Sequence, residues 1–252
     1  MHEDYLLTKL NDRKITAFYS SEFYGEHVSK ALNAIDRRLE RSDNNISGTL
    51  IRNNPFKNRK LLSPIVYKDL VVNVVFLGAP STGKTTIAES LARFYKTKWM
   101  PEYGREYWEK HHIDRRLTKK QLLEIAELHI EKEDELLNDS NKYLFCDTNA
   151  ITTFMFGKYY HESVLSELEQ LAIKAEKRYD IYFLCDTDIP YDDTWDRSGD
   201  MNRLWFQYEI ESDLKIRKIP YIKLPGSLDD RINKVTSILS QYEKFDSIGN
   251  LF

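Results

Sequence analysis

The sequence predicts an α/β protein in which a parallel β-sheet carries helices on both faces. Five apolar runs between residues 70 and 224 alternate with segments of helical spacing, which is the order that parallel strands joined by crossover helices require. The first run, LVVNVVFLG at 70–78, is apolar at almost every position, as a strand buried on both faces should be. A glycine-bounded loop follows this run directly and leads into a helix.

The other predicted strands are shorter than the first. They are TKWM at 97–100, KYLFCD at 142–147, YDIYFLCD at 179–186 and YIKL at 221–224. Helices are predicted at 84–95, 118–138, 163–177 and 201–218, and from Ser227 onward. The second of these helices begins with Thr118 and Gln121, which have the spacing of a capping box.

The first 56 residues are organised differently. KITAFYSSEFYGE at 14–26 predicts a strand followed by a loop, and HVSKALNAIDRRL at 27–39 has helical character. This is too little chain for an ordinary α/β domain, so we interpret it as the end of one. Residues 57–69 are basic, contain a proline and lack a clear period, which predicts a linker. Domains are therefore expected at 1–60 and 68–245.

Composition narrows the class of function. The chain has 37 basic and 40 acidic residues and a formal net charge of −3, which argues against the basic excess of a nucleic-acid-binding protein. No apolar run approaches the roughly 20 residues of a membrane span, and the N-terminus lacks the pattern of a signal peptide. Cys146 and Cys185 lie in apolar runs, which favours buried thiols in a reducing compartment. We therefore expect a cytoplasmic protein without a nucleic-acid or membrane partner.

The strongest motif is GAPSTGKT at 78–85, which fits the phosphate-binding pattern G-x-x-x-x-G-K-[ST] without deviation. Its glycines let the backbone direct several N–H groups at phosphate, and the following helix adds its N-terminal dipole. Lys84 is expected to reach the β- and γ-phosphates of ATP, and the Thr85 hydroxyl is expected to hold Mg²⁺. The motif therefore predicts that the carboxyl edge of the sheet binds a nucleoside triphosphate.

Asp147 ends the third predicted strand and is the best candidate for the acid that a P-loop site needs. A carboxylate at the carboxyl end of a parallel strand faces the ligand crevice. It can orient the attacking hydroxyl or the magnesium shell. The alternative interpretation, in which Asp147 and Thr148 only begin a helix, is compatible with this role.

Two further segments carry candidate site residues. MPEYGREYW at 100–108 follows the second strand, where Glu102 can accept hydrogen bonds or act as a base and Arg105 can bind phosphate. The alternative is a surface ion pair beside an aromatic core. The polar loop at 188–203 carries Arg197 and Arg203, which can close over a transferring phosphoryl group as a lid. Its alternative is a solvated loop of mixed charge.

These motifs together resemble a known family. GAPSTGKTT, EYGREY, FCDTNAITT and the arginine-bearing loop follow one another as in the ribosylnicotinamide kinase domain of NadR-type proteins. Upstream, ISGTLIRNNPF resembles the end of their nicotinamide-nucleotide adenylyltransferase domain. The resemblance covers roughly residues 15–242. It implies a P-loop kinase domain preceded by an incomplete nucleotidyltransferase-like α/β segment.

The resemblance also implies functional residues. It implies ATP and Mg²⁺ as cofactors and nicotinamide riboside as the small-molecule acceptor, which is converted to nicotinamide mononucleotide. ATP would be bound by Gly78, Ser81, Thr82, Gly83, Lys84, Thr85 and Thr86. Catalysis would rest on Lys84, Asp147, Arg197 and Arg203, with Mg²⁺ at Thr85 and Asp147. The nucleoside would lie at Glu102, Tyr103, Arg105 and Asn149. The upstream phosphate motif would use Ser47, Thr49 and Arg52.

Two departures from the family pattern keep other hypotheses open. The upstream segment lacks the H-x-G-H motif of adenylyltransferases, so we expect a fragment of a longer protein or a remnant domain. The family usually reads D-T-D where this chain has Asp147-Thr148-Asn149, which leaves a different nucleoside acceptor open. An ATP-binding regulatory module without turnover is a third hypothesis. The incomplete upstream sheet would expose an edge, for which homo-oligomerisation is one solution.

Overall fold

A computed structural model describes residues 2–10, 13–21, 23–40, 46–112, 117–191 and 200–244. Arg197, one of the predicted lid arginines, lies outside the described residues. The chain divides into two compact units, Met1–Asn54 and Pro55–Phe252. Within the described part of the chain, no helix is both long enough and apolar enough to cross a membrane.

The N-terminal unit is a small α/β segment. Its elements are α1 (His2–Leu10), β1 (Ala17–Ser20), α2 (Gly25–Ala31), β2 (Ile35–Arg38) and α3 (Gly48–Asn53). β1 and β2 pair in parallel, with Ala17 opposite Ile35. Helical character was predicted for all of 27–39, and this is wrong for its second half. Asn33 has a left-handed backbone (φ 47°), which ends the helix, and the chain then pairs with β1.

The C-terminal unit is built on five parallel strands, in the order β4-β5-β3-β6-β7. Their bounds are β3 Val72–Leu77, β4 Lys98–Met100, β5 Tyr143–Asp147, β6 Ile181–Cys185 and β7 Ile222–Leu224. The five strands coincide with the five apolar runs of the sequence, and the predicted α/β class with a parallel sheet is confirmed. Every residue of β3 is buried, as the continuous apolar run predicted.

Eight α-helices of this unit are described. They are α4 Pro64–Leu70, α5 Lys84–Tyr95, α6 Tyr103–His111, α7 Lys119–Asp139, α8 Ala150–His161, α9 Ser166–Ala175, α10 Asp200–Ile216 and α11 Leu228–Gln241. The predicted capping box begins α7: Thr118 Oγ1 accepts from the Gln121 N–H, and the Gln121 side chain accepts from the Thr118 N–H.

Three of these helices were not anticipated from the sequence. Residues 57–69 were predicted to be a linker, but Ser63 caps α4 and Pro64 occupies its first turn, where proline is favoured. Tyr67 of α4 is buried and donates a hydrogen bond to the Ser140 carbonyl at 2.6 Å. The other two, α6 and α8, lie in segments that were considered mainly for their polar residues. For α4, a local cap and the buried contact of Tyr67 accompany a helix that no periodic apolar pattern indicated.

Side chains of the strands alternate between two separate cores, one on each face of the sheet. Val75 and Leu77 of β3 pack into the core that includes residues of α7, α8, α9 and α10. Val74 and Phe76 pack into the core that includes residues of α5 and α11. The sheet is therefore covered on both faces, and its carboxyl edge is left as the place for a ligand.

Candidate active site

The loop after β3 has the backbone geometry of a phosphate-binding loop. Gly78 has φ 145°, and a Cβ at this position would lie 2.8 Å from both the Cys185 carbonyl oxygen and Thr82 Oγ1. Gly83 has φ 78° and begins α5, so its left-handed backbone also favours glycine. These two positions explain why the motif requires glycine. The amino end of the twelve-residue α5 follows directly, which gives the loop the partial positive charge that phosphate prefers.

Lys84 is held inside this loop. Its side chain is buried, and Nζ donates a hydrogen bond to the Ala79 carbonyl oxygen at 2.9 Å. Thr82 Oγ1 donates to the same oxygen at 2.8 Å. Thr86, which was also predicted to bind ATP, is exposed on the first turn of α5. A buried ammonium group that is bonded to a single carbonyl keeps capacity for a phosphate oxygen.

Asp147 and Thr85 face each other across the sheet edge. β5 lies beside β3 with Asp147 opposite Phe76, so Asp147 comes next to the P-loop. Thr85 Oγ1 donates to Asp147 Oδ2 at 2.5 Å, and the buried Oδ1 has no hydrogen-bond partner among the described residues. Burial, followed by the negative charge of Glu102, raises the pKa of Asp147 to about 6. A hydroxyl beside a carboxylate with a spare oxygen fits Mg²⁺, which prefers oxygen ligands.

Asn149 caps the helix that follows β5. Its Oδ1 accepts from the N–H groups of Ile151 and Thr152, at 3.0 and 3.3 Å. Its Nδ2 is buried and has no hydrogen-bond partner among the described residues. Thr148, with φ 67°, makes the bend between β5 and α8. The structure thus gives Asn149 a capping contact that the sequence analysis did not assign to it.

Two substitutions of Asn149 distinguish its role as a helix cap from a contact with substrate. We expect Asn149→Ala to lower the free energy of unfolding by about 1 kcal/mol, because the helix loses its cap. Asn149→Ser keeps a capping oxygen and should cost less stability, but it also removes the amide N–H₂. Chemical denaturation measures the first effect, and KM for the acceptor measures the second. Equal stability of the two variants would contradict the capping role.

A cavity of about 170 Å³ opens beside the P-loop. Its polar wall contains Gly78, Ser81, Lys84, Glu102, Arg105 and Thr148. Its apolar wall contains Trp108, Leu117, Leu122, Ile125 and Phe156, with His129 and Tyr160 among the remaining residues. Five of the predicted site residues therefore line one cavity. The combination of cationic groups and an apolar wall that contains aromatic side chains suits a small polar molecule that carries a ring.

The residues of the EYGREY segment divide between the cavity and the protein interior. Glu102 and Arg105 line the cavity and form an ion pair, with Arg105 Nη2 at 3.5 Å from Glu102 Oε2. Tyr103 is half-buried, and the Lys132 ammonium group lies 4.1 Å from its ring centroid. Tyr107 donates to Glu124 at 2.6 Å and so joins α6 to α7. Tyr103 and Tyr107 are not among the residues that line the cavity.

Arg203 lies on α10 and is buried. Its Nη2 donates to the carbonyl oxygens of Ser81 at 3.1 Å and of Ile189 at 3.0 Å. Gln207, one turn further along α10, accepts from the Ala79 N–H at 2.8 Å and donates to the Cys185 carbonyl at 3.0 Å. α10 therefore holds the P-loop backbone through two side chains. Sequence reasoning assigned Arg203 to a lid and did not identify Gln207.

Arg231 is a second buried arginine that holds the P-loop, and sequence reasoning missed it. From α11 it donates to the Thr82 carbonyl at 2.6 Å and pairs with Asp188 at 2.6 Å. It also donates to the carbonyls of Asp186 and Gly226. Burial raises the pKa of Asp188, but hydrogen bonds from Gly226 and Arg231 hold it below its usual range. One sequence feature could have indicated that Arg231 is buried. It lies four residues before Val235 and therefore on the apolar face of α11.

We expect Arg231→Met to lower the free energy of unfolding by about 2–4 kcal/mol, because several buried carbonyls lose their donor. Arg93→Met is the matched control. Arg93 pairs with Glu89 on the exposed surface of α5 and should cost well under about 1 kcal/mol. Urea denaturation of both variants measures the difference. Equal losses would show that Arg231 contributes no more than a surface arginine.

The upstream phosphate motif lies in the N-terminal unit. Ser47 caps α3, where its side chain accepts from the Leu50 N–H at 3.1 Å. Thr49 is in the first turn of α3, and the side chain of Arg52 lies outside the described residues. The Ser47 hydroxyl oxygen therefore accepts a hydrogen bond from the helix that it caps. The phosphate role predicted for Ser47, Thr49 and Arg52 stays a prediction.

The parallel sheet, the glycine geometry of the loop and the buried Lys84 define a P-loop α/β protein of the kinase-like type. A family model described as an AAA domain, AAA_28, matches residues 73–231, and the chain belongs to that family.

Two curated relatives are NadR proteins. The chain is 30% identical over 203 residues to the trifunctional NAD biosynthesis/regulator protein NadR of Salmonella typhimurium, covering 79% of this chain and 48% of that protein. Identity to the protein of the same name from Escherichia coli is 28% over 205 residues, covering 80% and 49%. The chain spans about half the length of these curated relatives. The resemblance to NadR-type proteins that the motifs indicated is confirmed.

Solved structures of NadR protein share the fold. One, in complex with NR, aligns with a TM-score of 0.67 at 22% identity and covers 94% of this chain and 70% of that one. Another, in complex with NAD and AMP-PNP, aligns with a TM-score of 0.66 at 22% identity and covers 96% and 73%.

Proposed function

We propose that the chain transfers the γ-phosphoryl group of ATP to the 5′-hydroxyl of nicotinamide riboside, giving nicotinamide mononucleotide and ADP. The observation that carries this proposal is a single cavity with P-loop residues and the Glu102–Arg105 pair on its walls. Phosphate donor and acceptor can therefore meet in one site. The solved NadR structures, one in complex with NR and one with NAD and AMP-PNP, support the choice of both substrates, as does the similarity to the NadR protein of Salmonella typhimurium.

The P-loop side of the cavity binds the triphosphate. Backbone N–H groups between Gly78 and Thr85 and the amino end of α5 surround the β- and γ-phosphates. Lys84 exchanges its hydrogen bond with the Ala79 carbonyl for a γ-phosphate oxygen. The Ala79 oxygen keeps its second donor, Thr82, so this exchange leaves no buried acceptor unsatisfied.

Thr85 and Asp147 would hold Mg²⁺ through the threonine hydroxyl and the spare oxygen of Asp147. The bound ion would neutralise charge on the phosphate oxygens. Asp147 must be ionised for this role, which its raised pKa permits at and above neutral pH. Arg203 holds the P-loop backbone in position by donating to the Ser81 carbonyl oxygen. Its effect on the phosphates is therefore indirect, through the backbone N–H groups that it positions.

The acceptor lies on the other side of the cavity. Its 5′-oxygen attacks the γ-phosphorus, the new O–P bond forms as the bond to the β,γ-bridging oxygen breaks, and ADP leaves. Glu102 accepts the proton of the hydroxyl, because it is the carboxylate that lines the cavity. Arg105, paired with Glu102, neutralises charge that develops on the γ-phosphoryl oxygens. The apolar wall of the cavity, which contains Trp108 and Phe156, receives the ring.

The test is to incubate the purified chain with Mg-ATP and nicotinamide riboside and to detect nicotinamide mononucleotide and ADP by mass spectrometry. We expect multiple turnovers and equal amounts of the two products. Cytidine, uridine and adenosine serve as parallel acceptors. No mononucleotide under conditions where ATP binds would refute the proposal, and faster turnover of another nucleoside would reassign the acceptor.

A further inference from the structure

One polar group in the cavity has no part in the phosphoryl transfer described above. His129 is nearly buried on α7, one of the helices that form the apolar wall. Leu122, Ile125 and His129 lie three and four residues apart, so they share one face of the helix. A histidine among these apolar residues costs desolvation free energy unless its nitrogens are bonded.

A network behind the cavity determines which ring nitrogen carries the proton. Glu133 is fully buried, and its Oε2 accepts from Arg178 Nε at 2.5 Å. Its Oε1 accepts from the Tyr179 hydroxyl at 2.6 Å and lies 3.1 Å from His129 Nε2. An ionised carboxylate only accepts hydrogen bonds, so Nε2 is the donor. Burial raises the pKa of Glu133, but its hydrogen bond with His129 and the charge of Arg178 outweigh burial and hold it below its ordinary value.

In the neutral form of His129, the other nitrogen is then the acceptor. In a neutral imidazole that is protonated on Nε2, Nδ1 carries a lone pair. Nδ1 of His129 makes no hydrogen bond within the described part of the chain. An N–H donor on a bound molecule would satisfy it. A carboxylate on that molecule has no hydrogen to donate to Nδ1, and its negative charge would be repelled by the buried charge of Glu133.

We propose that His129 is a specificity-determining residue of the acceptor site, which selects a ring bearing an uncharged carboxamide over a ring bearing a carboxylate. The proposal rests on the proposed function for the location of the acceptor. Glu133 is a positioning residue in this scheme, because it fixes the tautomer of His129 without contacting the ligand. Arg178 and Tyr179 hold Glu133 in turn.

The experiment compares nicotinamide riboside with nicotinic acid riboside at pH 7.5. Binding is measured by calorimetry with AMP-PNP and Mg²⁺ present, and turnover is measured with Mg-ATP. We expect the carboxylate compound to bind about 10- to 100-fold more weakly to the unchanged protein, the loss expected when a buried polar group stays unpaired. Equal affinity, or a preference for the carboxylate, would overturn the proposal.

Two variants at the same position test the residue itself. His129→Leu removes both nitrogens, so affinity for nicotinamide riboside should fall about 3- to 10-fold and the discrimination should disappear. His129→Gln can donate to Glu133 through its amide nitrogen and present its oxygen to the ligand, so discrimination should largely return. His27→Leu, at an exposed histidine of the N-terminal unit, is the matched control and should keep the original ratio.

The outcomes separate this proposal from the kinase assignment. Selective binding without phosphorylation would refute the kinase function and leave His129 as a specificity residue. If nicotinamide riboside is phosphorylated but His129→Leu keeps the original ratio of affinities for the two ribosides, only the role of His129 is refuted. If His129→Leu fails to fold, the comparison in the unchanged protein still decides, because equal affinity for the two ribosides or a preference for the carboxylate compound overturns the proposal.

Discussion

Lys84→Ala is expected to lower kcat/KM for ATP-dependent phosphorylation by about 10²- to 10³-fold, the scale seen when a buried group that stabilises transition-state charge is removed. Lys84 is the buried ammonium group of the P-loop and lines the cavity. In the proposed site, its removal would take a buried positive charge away from the γ-phosphoryl oxygens. Steady-state assays with nicotinamide riboside and Mg-ATP measure the loss.

Stability should change little in this variant. The Ala79 carbonyl oxygen that Lys84 bonds also accepts from Thr82, so no buried acceptor is orphaned. Thermal unfolding therefore checks that the lost activity is not lost folding. Lys120→Ala, at an exposed position on α7, is the matched control and should keep full activity. Activity within about 10-fold of the unchanged protein would contradict the phosphate role of Lys84.

The second large effect is expected at Asp147. Asp147→Asn should lower kcat by about 10²- to 10³-fold, because an amide is a poor magnesium ligand and brings no charge. It should also raise the apparent Kd for Mg²⁺. Asp229→Asn, at an exposed aspartate on the first turn of α11, is the control and should keep both values. An unchanged magnesium requirement in Asp147→Asn would remove this residue from the metal site.

Activity should also depend on pH through Asp147. Its pKa is raised to about 6, chiefly by burial, and only the ionised form serves the proposed site. We therefore expect kcat/KM, which reports the free enzyme, to fall as pH decreases through about 6. A profile that stays flat from pH 5 to 7.5 would contradict this.

The raised pKa of Asp147 also predicts that stability falls as pH rises, whereas activity increases. The folded protein binds the Asp147 proton more tightly than the unfolded chain does, so ionising this carboxyl costs stability as pH rises from about 4 to about 6. Asp147→Asn carries no such charge. Without Mg²⁺ it should melt at a higher temperature than the unchanged protein at pH 7.5, and the difference should disappear near pH 4. If Asp147→Asn instead melts at a lower temperature than the unchanged protein at pH 7.5, contacts of the ionised carboxylate offset the cost of burying it.

Burial on both faces made the sheet predictable. A strand covered by two layers of helices is apolar along most of its length, so β3, β5 and β6 appear as nearly continuous apolar runs in the sequence. Capping is equally local, and the Thr118–Gln121 pair is found where it was predicted. By contrast, the segment of α4 was predicted to be a linker, because its apolar residues show no clear period. The buried position of Tyr67 depends on the surface against which it packs.

The candidate site divides in the same way. The P-loop glycines and Lys84 could be predicted from the sequence, since they act within a few residues of one another. Arg203, Gln207 and Arg231 bond the P-loop backbone from helices more than 100 residues away in the chain. Nothing in the local sequence around these residues indicates their partners.

The sequence by itself determined the fold class, the phosphate-binding loop and the family, because each depends on hydrophobic pattern or on short motifs. Only the tertiary structure decided the strand order β4-β5-β3-β6-β7, which puts Asp147 beside Thr85. It also decided that Glu102 lines the cavity while Tyr103 does not, and that His129 has a buried carboxylate behind it. The physical reason is that hydrogen bonds and burial between distant segments depend on the packing of the whole chain.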